Sequence, residues 1–450
     1  MASDDMDVVV LGGGMAGLTA AATAAAGGRK VLVVEKSAAI GGSALISGGI
    51  IWSPESVEAY RRLDDRSDET LIRLAVEGIA DGLRWVAGLG AEVSEDFRLD
   101  HVLHFPSVAR RFDNHTYLHQ CARLVERAGG HVVTETNTTT LLTRDSRVVG
   151  VRISDRDGST DVLAPWIVLA TGGFQGDPEL RAEFLGPGTR ELVLRANRAS
   201  VGDGLRLARS AGADVAHETS AFYGNLLPTG LPRPFVDGDF LRLSQYHSIH
   251  SLLLDTNGDR IGDESVAYYL NAVLVSRQAG ARALLVGDER VRAAGMQVND
   301  GLDRVEEAAR DGGRVVTAGS LRELGHAVAE WGYQRVPHAI EDFNELVAGR
   351  RKPRDGEHDR MYNASPLVDP PYFAVEVQPG ITFPFAGLRV DARTRVLDDS
   401  GSPIEGLLAA GVDVHAFDSV YGGGLGLSLT TGRRAGRTTL ESATSTVHAH

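Results

Sequence analysis

Residues 7–35 read DVVVLGGGMAGLTAAATAAAGGRKVLVVE, and the rest of the chain is organised around them. Val8, Val9, Val10 and Leu11 form a short apolar run of the kind a buried parallel strand requires. Gly12, Gly14 and Gly17 follow at the spacing G-x-G-x-x-G. Leu18 to Ala26 is rich in alanine and predicts a helix. Val31 to Val34 is a second apolar run, and it ends on Glu35. Together these make one strand–helix–strand unit of about 30 residues. The spacing has a chemical meaning. Gly12 permits a tight turn out of the strand, Gly14 lets a pyrophosphate approach the backbone, and Gly17 lets the helix pack closely on the sheet. Free N–H groups and a partial positive charge at the helix start then face the phosphates. Glu35 stands about 20 residues on, where a carboxylate accepts from ribose hydroxyls and repels a 2′-phosphate. The stretch therefore predicts FAD or NAD in preference to NADP.

At 450 residues the chain has room for two or three domains. Its 43% hydrophobic and 24% charged residues are those of an ordinary globular protein. The net charge of -14 argues against a nucleic-acid partner, because holding phosphates needs clustered Lys and Arg. Cys121 is the single cysteine, so no intrachain disulfide forms, and a buried inert thiol is expected. The first strand begins by Val8, which leaves no span for a signal peptide. No apolar run approaches the length needed to cross a membrane, so no membrane span is expected and a cytoplasmic location is. The residues from about Glu441 predict a frayed tail.

After Glu35 comes KSAAIGGSALISGGIIW, in which Gly41, Gly42, Ser43, Ser47, Gly48 and Gly49 let backbone run flush against a flat ligand. Bulky Ile40, Leu45, Ile46, Ile50, Ile51 and Trp52 argue against a solvated loop. Helical spacing marks 68–90 and 116–129, His131 to Thr134 predicts a strand, and a loop is expected around Thr136 to Thr140, before a hairpin ending VVGVRI. Ile167 to Ala170 is a buried strand broken by Thr171-Gly172-Gly173. Gly202-Asp203-Gly204 opens a helix from Leu205, with Asp203 a candidate N-cap. From about Ala216 to Pro370 the glycine-punctuated strands give way to more aromatics and histidines. An inserted domain is expected there, with a strand at Leu252 to Leu254, a turn at Asn257-Gly258, and helices at Ser265 to Val275, Thr317 to Ala329 and His338 to Leu346. Strands ending in glycine then return in GLLAAGVDVHAF, and YGGGLGLSLTTGRRAGRTTL sets a glycine run before a helix. The expected fold class is α/β. One domain is built from both chain ends (1–215 and 371–450), and a second, 216–370, is inserted into it.

Nine motifs in order resemble the FAD-binding flavoproteins that include fumarate reductases, succinate dehydrogenase flavoprotein subunits and 3-ketosteroid dehydrogenases. They are VVVLGGGMAGLTAA, VVEKSAAIGGSALISGG, IVLATGGF, SVGDGLRLARSAGA, DTNGDRIGDES, TAGSLRELG, PPYFAVEVQPGI, AGLRVD and GGLGLSLTTGRRAGR. The resemblance covers nearly the whole chain. It implies a Rossmann-like FAD-binding domain with an inserted α+β capping (substrate) domain, the active site lying between them. Carried over by residue, Gly12, Gly14, Met15, Ala16 and Gly17 surround the pyrophosphate, and Glu35 holds the adenosine ribose. Lys36, Gly42, Ser43, Ser47, Gly48 and Gly49 lie along the pyrophosphate and flavin. Thr138 meets the adenine by its backbone, while Thr171, Gly172, Asp203 and Gly411 also line FAD. Asp413 takes the place of the acid that bonds the ribityl chain. Gly424 and Leu425 offer N–H groups to the flavin O2 side. Gly42 stands where some relatives carry a flavin-attaching His, which implies non-covalent FAD.

The departures from the fumarate-reductase pattern are informative. The position of its catalytic Arg falls on Tyr268, its His is replaced by Phe383-Pro384, and its second Arg by Asp418-Ser419-Val420. A site stripped of these cations holds a dicarboxylate poorly. Ketosteroid dehydrogenases instead use Tyr in the cap helix and bind a ketone near the last glycine run, which Tyr268 or Tyr269 and Tyr421-Gly422 fit. The resemblance thus implies dehydrogenation of a carbonyl compound at its α,β position. In that reaction Tyr421 hydroxyl and Gly422 N–H would polarise the ketone, and Tyr268 would act as base. The alternatives are an enoate or alkene reductase using the same geometry in reverse, and a flavoprotein serving only electron transfer. His247 and His250 are weaker candidates for the cleft, and His415 weaker still. With no second glycine fingerprint for NAD, the expected electron acceptor is a quinone, a dye-like carrier or oxygen.

Overall fold

The structure, a computed structural model, describes residues 6–98, 106–217, 219–298, 301–354 and 357–441. The expected tail beyond Glu441 lies outside them. Five strands form a parallel sheet in the order Pro403–Ala409, Trp166–Leu169, Val8–Leu11, Val31–Val34 and His131–Val133, with Arg395–Leu397 antiparallel at one edge. Val8, Val9 and Val10 are fully buried, as a strand covered on both faces requires. The Met15–Ala26 helix covers the sheet and is buried almost along its whole length. Its cover is the Gly424–Thr438 helix, and small residues set the approach. A Cβ on Gly432 would lie 2.5 Å from the Ala16 carbonyl, and one on Gly436 2.6 Å from that of Ala20. The Asn114–Arg127 helix flanks the other side and buries Cys121, whose thiol burial raises to about 12. The burial expected of this single cysteine is found, and it disfavours the reactive thiolate.

A second sheet is built on one long strand, Tyr372–Pro384. Phe222–Pro228, Ala283–Gly287 and Val315–Ala318 pair with it antiparallel, Val193–Leu194 parallel, and Leu252–Leu254 extends the sheet through Ala283–Gly287. Its long strand and the Val193–Leu194 edge lie outside residues 216–370. Two smaller sheets complete the fold: Ile50–Pro54 with Ser107–Arg111, and a three-stranded meander over Asn137–Arg144, Arg147–Asp155 and Gly158–Leu163.

Several local expectations shift. The loop expected around Thr136 to Thr140 is largely strand, because the β-branched run at Thr138 to Thr140 suits a ladder. Thr317 and Ala318 end a strand rather than start a helix. The helix there is Leu321–Ala329, whose N-cap Ser320 accepts from the Glu323 N–H. Tyr268–Ser276 is the helix expected from Ser265. The cap before Asp203 is Gly202, at φ 86, so Asp203 is the first helical residue and its carboxylate is left for another partner. Among the described residues no helix is long and apolar enough to cross a membrane.

Candidate active site

Parallel strands deliver their carboxyl ends to one edge of a sheet, and a cavity of about 510 Å³ opens at that edge. Each strand is followed by a lining residue: Gly12, Glu35, Thr136, Thr171 and Gly411. The turn after the first strand is tight. A Cβ on Gly12 would lie 2.2 Å from the Ala170 carbonyl oxygen, and one on Gly17 1.9 Å from that of Gly12. Gly14 differs, because a Cβ there would meet nothing nearer than 4.0 Å. Its bareness serves whatever occupies the cavity rather than the fold.

Most of the expected cofactor residues come together at this edge. Gly12, Gly14, Met15, Ala16, Glu35, Lys36, Gly42, Ser43, Ser47, Gly48, Thr138, Thr171, Gly172, Asp203, Gly411, Gly424 and Leu425 all line the cavity. Glu35 Oε2 accepts from the Gly13 N–H at 2.8 Å and Oε1 from the Ser37 N–H at 2.7 Å. Those bonds fix the carboxylate, and each oxygen keeps a lone pair for a hydroxyl. Lys36 Nζ donates to Asp203 Oδ2 at 2.5 Å, tying the second strand's end to the Asp203–Ser210 helix. The helices starting at Met15 and Gly424 have glycine N-caps with no side-chain bond, so their N–H groups are directed at the cavity end. A carboxylate for a ribose, bare backbone at Gly14 and the uncapped start of the Met15–Ala26 helix are what a dinucleotide with a charged pyrophosphate needs.

Gly17, Gly49, Asp413 and Gly422, also expected at the site, do not line the cavity. Gly17 is used in helix packing. Gly49, at φ 63, makes a turn against the Phe112 carbonyl. Asp413 is buried and turned onto a neighbouring loop. Its Oδ1 accepts from the Gly173 N–H at 2.8 Å and its Oδ2 from the Thr171 N–H at 2.5 Å. Burial raises its carboxyl above the usual range against those bonds. It shapes the Thr171–Gly173 turn instead of reaching the cavity. Gly422 packs on Phe417, where a Cβ would lie 2.5 Å away.

At the other end of the cavity the lining is aromatic: Trp52, Tyr223, Phe240, Tyr246, Tyr268, Phe383 and Tyr421. Tyr421 is held from both sides, stacked on Tyr223 with centroids 3.9 Å apart and edge-on to Trp52 at 5.0 Å. Its hydroxyl accepts from the Gly424 N–H at 2.9 Å. That helix start therefore holds the oxygen, and the hydroxyl proton is left to donate. The Gly424 N–H is spent in this bond rather than offered directly to a ligand. The loop carrying Tyr421 is pinned as well. Asp64 Oδ2 accepts from the Ser419 and Val420 N–H groups at 2.7 and 3.0 Å, and the Tyr60 hydroxyl donates to the Val420 carbonyl. Burial pushes the Asp64 carboxyl up, but the N–H groups outweigh it and hold it below its usual range.

Tyr268 and Tyr269 divide their roles. Tyr268 lines the cavity, its hydroxyl 3.4 Å from that of Tyr223. Tyr269 is 2% exposed and accepts from the Tyr421 N–H at 3.1 Å, so it buttresses the loop. Burial raises the phenol of Tyr268 well above 10, and it raises those of Tyr223 and Tyr421 too. Beside this cluster sits Arg195, fully buried. It donates to Tyr246 hydroxyl at 2.9 Å, Ser244 hydroxyl at 2.8 Å and Thr382 hydroxyl at 2.7 Å. The Tyr246 ring lies edge-on to Tyr268 at 5.1 Å, so a fixed positive charge stands close to the phenols.

Trp52, Tyr223, Tyr246, Arg195 and Arg304 do not stand out in sequence as site residues, because no glycine motif flags them. The second sheet brings Tyr223 and Phe383 in on adjacent strands, in direct register with each other. His247 and His250 do not line the cavity, and His247 packs edge-on against Phe373. His415 is buried, with Nδ1 3.0 Å from the Phe385 carbonyl.

Comparison with known proteins places this arrangement. A family model described as FAD binding domain matches residues 7–427. An NADH:acrylate oxidoreductase of Vibrio harveyi is 24% identical over 71% of this chain and 31% of its own length. A probable fumarate reductase of Shewanella frigidimarina is 24% identical over 96% of this chain and 74% of its own. A 3-oxosteroid 1-dehydrogenase of Mycolicibacterium smegmatis is 27% identical over 68% of this chain and 58% of its own. The chain thus spans 31% to 74% of these relatives' lengths. The solved structure of 3-ketosteroid delta1-dehydrogenase from Sterolibacterium denitrificans shares the fold, with a TM-score of 0.77 at 18% identity over 97% of this chain and 99% of that one.

Proposed function

The chain belongs to the FAD binding domain family, and from that premise we propose that it is an FAD-dependent dehydrogenase of CH–CH bonds. Its substrate would be a carbonyl compound, a cyclic ketone or 3-ketosteroid-like molecule, desaturated at the α,β position. The parallel sheet would form a Rossmann-like FAD-binding domain, its FAD held without a covalent link, and residues 216–370, which supply four strands of the second sheet, an inserted capping domain. The observation that carries the reading is the Tyr421 hydroxyl, which accepts the first N–H of the Gly424–Thr438 helix inside the aromatic end of the cavity.

A hydroxyl so held is a polarised donor. Tyr421 Oη–H donates to the ketone oxygen and stabilises the negative charge that develops there. Burial raises the Tyr421 phenol, so it stays protonated across the working range and keeps the proton this role needs. With the carbonyl polarised, the α hydrogen becomes acidic, and Tyr268 Oη takes it. Tyr268 does so as the phenolate and becomes the neutral phenol, while the Tyr223 hydroxyl, 3.4 Å away, stands within reach of a hydrogen bond to that phenolate and the Arg195 charge behind Tyr246 favours it. Trp52, Phe240 and Phe383 exclude water from this end. Bound FAD supplies the acceptor for the β hydrogen as hydride. Its electrons would pass to an external acceptor, a quinone, a dye-like carrier or oxygen.

One observation favours the reverse reading, reduction of an activated alkene or enoate. Burial keeps Tyr268 protonated, and a protonated phenol suits a proton donor. The two separate by the wild-type enzyme assayed in both directions with cyclic ketones and enones, and the Tyr421→Phe variant tests the hydroxyl. The dehydrogenase reading expects kcat for ketone oxidation to fall about a hundredfold while bound FAD is retained. Equal loss of FAD and turnover contradicts a role for this hydroxyl in catalysis.

A further inference from the structure

The cavity contains a cation that the ketone chemistry leaves unused. Arg304, 7% exposed, lines it together with Gln297, Phe240, Leu241 and Tyr246. Its guanidinium carbon lies 5.7 Å from the centre of the Tyr246 ring, and that ring is edge-on to Tyr268. A guanidinium carries five N–H donors in a planar fork that matches a carboxylate, so one protein partner does not exhaust it. Among the described residues, the neighbouring acid Asp303 is committed. Asp303 caps the Arg304–Arg310 helix through the Val305 and Glu306 N–H groups and accepts from Arg292 Nε at 2.5 Å. The carboxylates that line the cavity are Glu35 and Asp203, held by backbone N–H groups and by Lys36 respectively, at the cofactor end. The aromatic end therefore has a buried positive charge and, among the described residues, no carboxylate in its lining.

We infer that the substrate is a ketone bearing a carboxylate, its carbonyl at Tyr421 and its carboxylate at Arg304. This rests on the dehydrogenase reading for the carbonyl end, but the anion site stands on Arg304 alone. It replaces the cations missing at the fumarate-reductase positions with one from a different part of the chain, beside Tyr246. A neutral steroid makes no use of that charge, whereas a small ring ketone carrying a carboxylate does.

The test uses the FAD-loaded enzyme and two flat probes that cannot be desaturated, phenol and 4-hydroxybenzoate, each titrated against the flavin absorbance. The hydroxyl of each stands in for the ketone oxygen. Wild-type protein is expected to bind 4-hydroxybenzoate at least tenfold more tightly than phenol. That ratio should collapse towards one in Arg304→Gln and recover in part in Arg304→Lys. Equal affinity for the two probes, binding of neither, or a preference that survives Arg304→Gln overturns the inference. Because the wild-type ratio needs no variant, poor folding of Arg304→Gln does not blunt the test. A preference that persists while cyclic ketones leave the flavin oxidised removes the desaturation reading and leaves the anion site standing.

Discussion

In the proposed reaction, Tyr421 and Tyr268 place opposite demands on one cluster of phenols. The donor must keep its proton, and burial secures that at Tyr421. The base must lose its proton, and the same burial opposes that at Tyr268. The sign follows directly. A base whose pKa lies above the assay range is deprotonated in a fraction that grows tenfold per pH unit. We therefore expect kcat/KM for ketone oxidation to climb through about pH 6–9 without a plateau, and the slope to vanish in Tyr268→Phe. A profile flat over that range contradicts Tyr268 as base. On the same reading, Arg195 would tune this balance through its bond to Tyr246. Arg195→Met should lower kcat more than it raises KM, and Arg195→Lys should recover part of the loss. Of these residues only Tyr268, Tyr269 and Tyr421 were visible in sequence, since each stands near a recognisable motif. Tyr223 and Tyr246 reach the cavity, and Arg195 stands behind them, through strand pairing and buried hydrogen bonds, which no local pattern encodes.

Single elements separate fold from ligand within the glycine turn. A methyl group on Gly17 would collide with the Gly12 carbonyl, whereas one on Gly14 has open space. Gly17→Ala should cost about 1–3 kcal/mol and lower the melting temperature even without cofactor. Gly14→Ala should leave the apo melting temperature unchanged and weaken FAD retention, as read by flavin content after gel filtration. The reverse pattern would contradict this division between packing and ligand approach. The Tyr246–His250 turn offers a second case. Burial, with the charge of His250, lowers the His247 ring to about 3 from its ordinary 6.5. The folded state thus binds the proton less readily than the unfolded one. The stability from a neutral His247 is complete above about pH 6.5 and is lost as pH falls towards about 3. Melting temperature should therefore drop over roughly pH 6.5–4, and more shallowly in His247→Gln. The helix starts at Asp203 and Leu321 came out within a few residues of expectation. The strand at Asn137–Arg144 was missed because its threonines are polar, and polarity in sequence reads as loop.

At the scale of the molecule, the parallel sheet was legible because its strands are buried on both faces and most end near a glycine or an acid. The second sheet was legible only as a change of texture. Its long strand, Tyr372–Pro384, pairs with segments from four other places in the chain, and such long-range pairing leaves no periodic mark. The cofactor end of the cavity follows from the first sheet, and the aromatic end requires both. The central claim is that these two ends meet around a flavin and desaturate a carbonyl compound. It is tested most directly by mixing the yellow enzyme with a cyclic ketone in the absence of oxygen and any acceptor, and following flavin absorbance. The account predicts that the flavin bleaches, and that an equivalent amount of enone appears. Flavin that stays oxidised with every ketone, yet is reoxidised by an enone after chemical reduction, would contradict it.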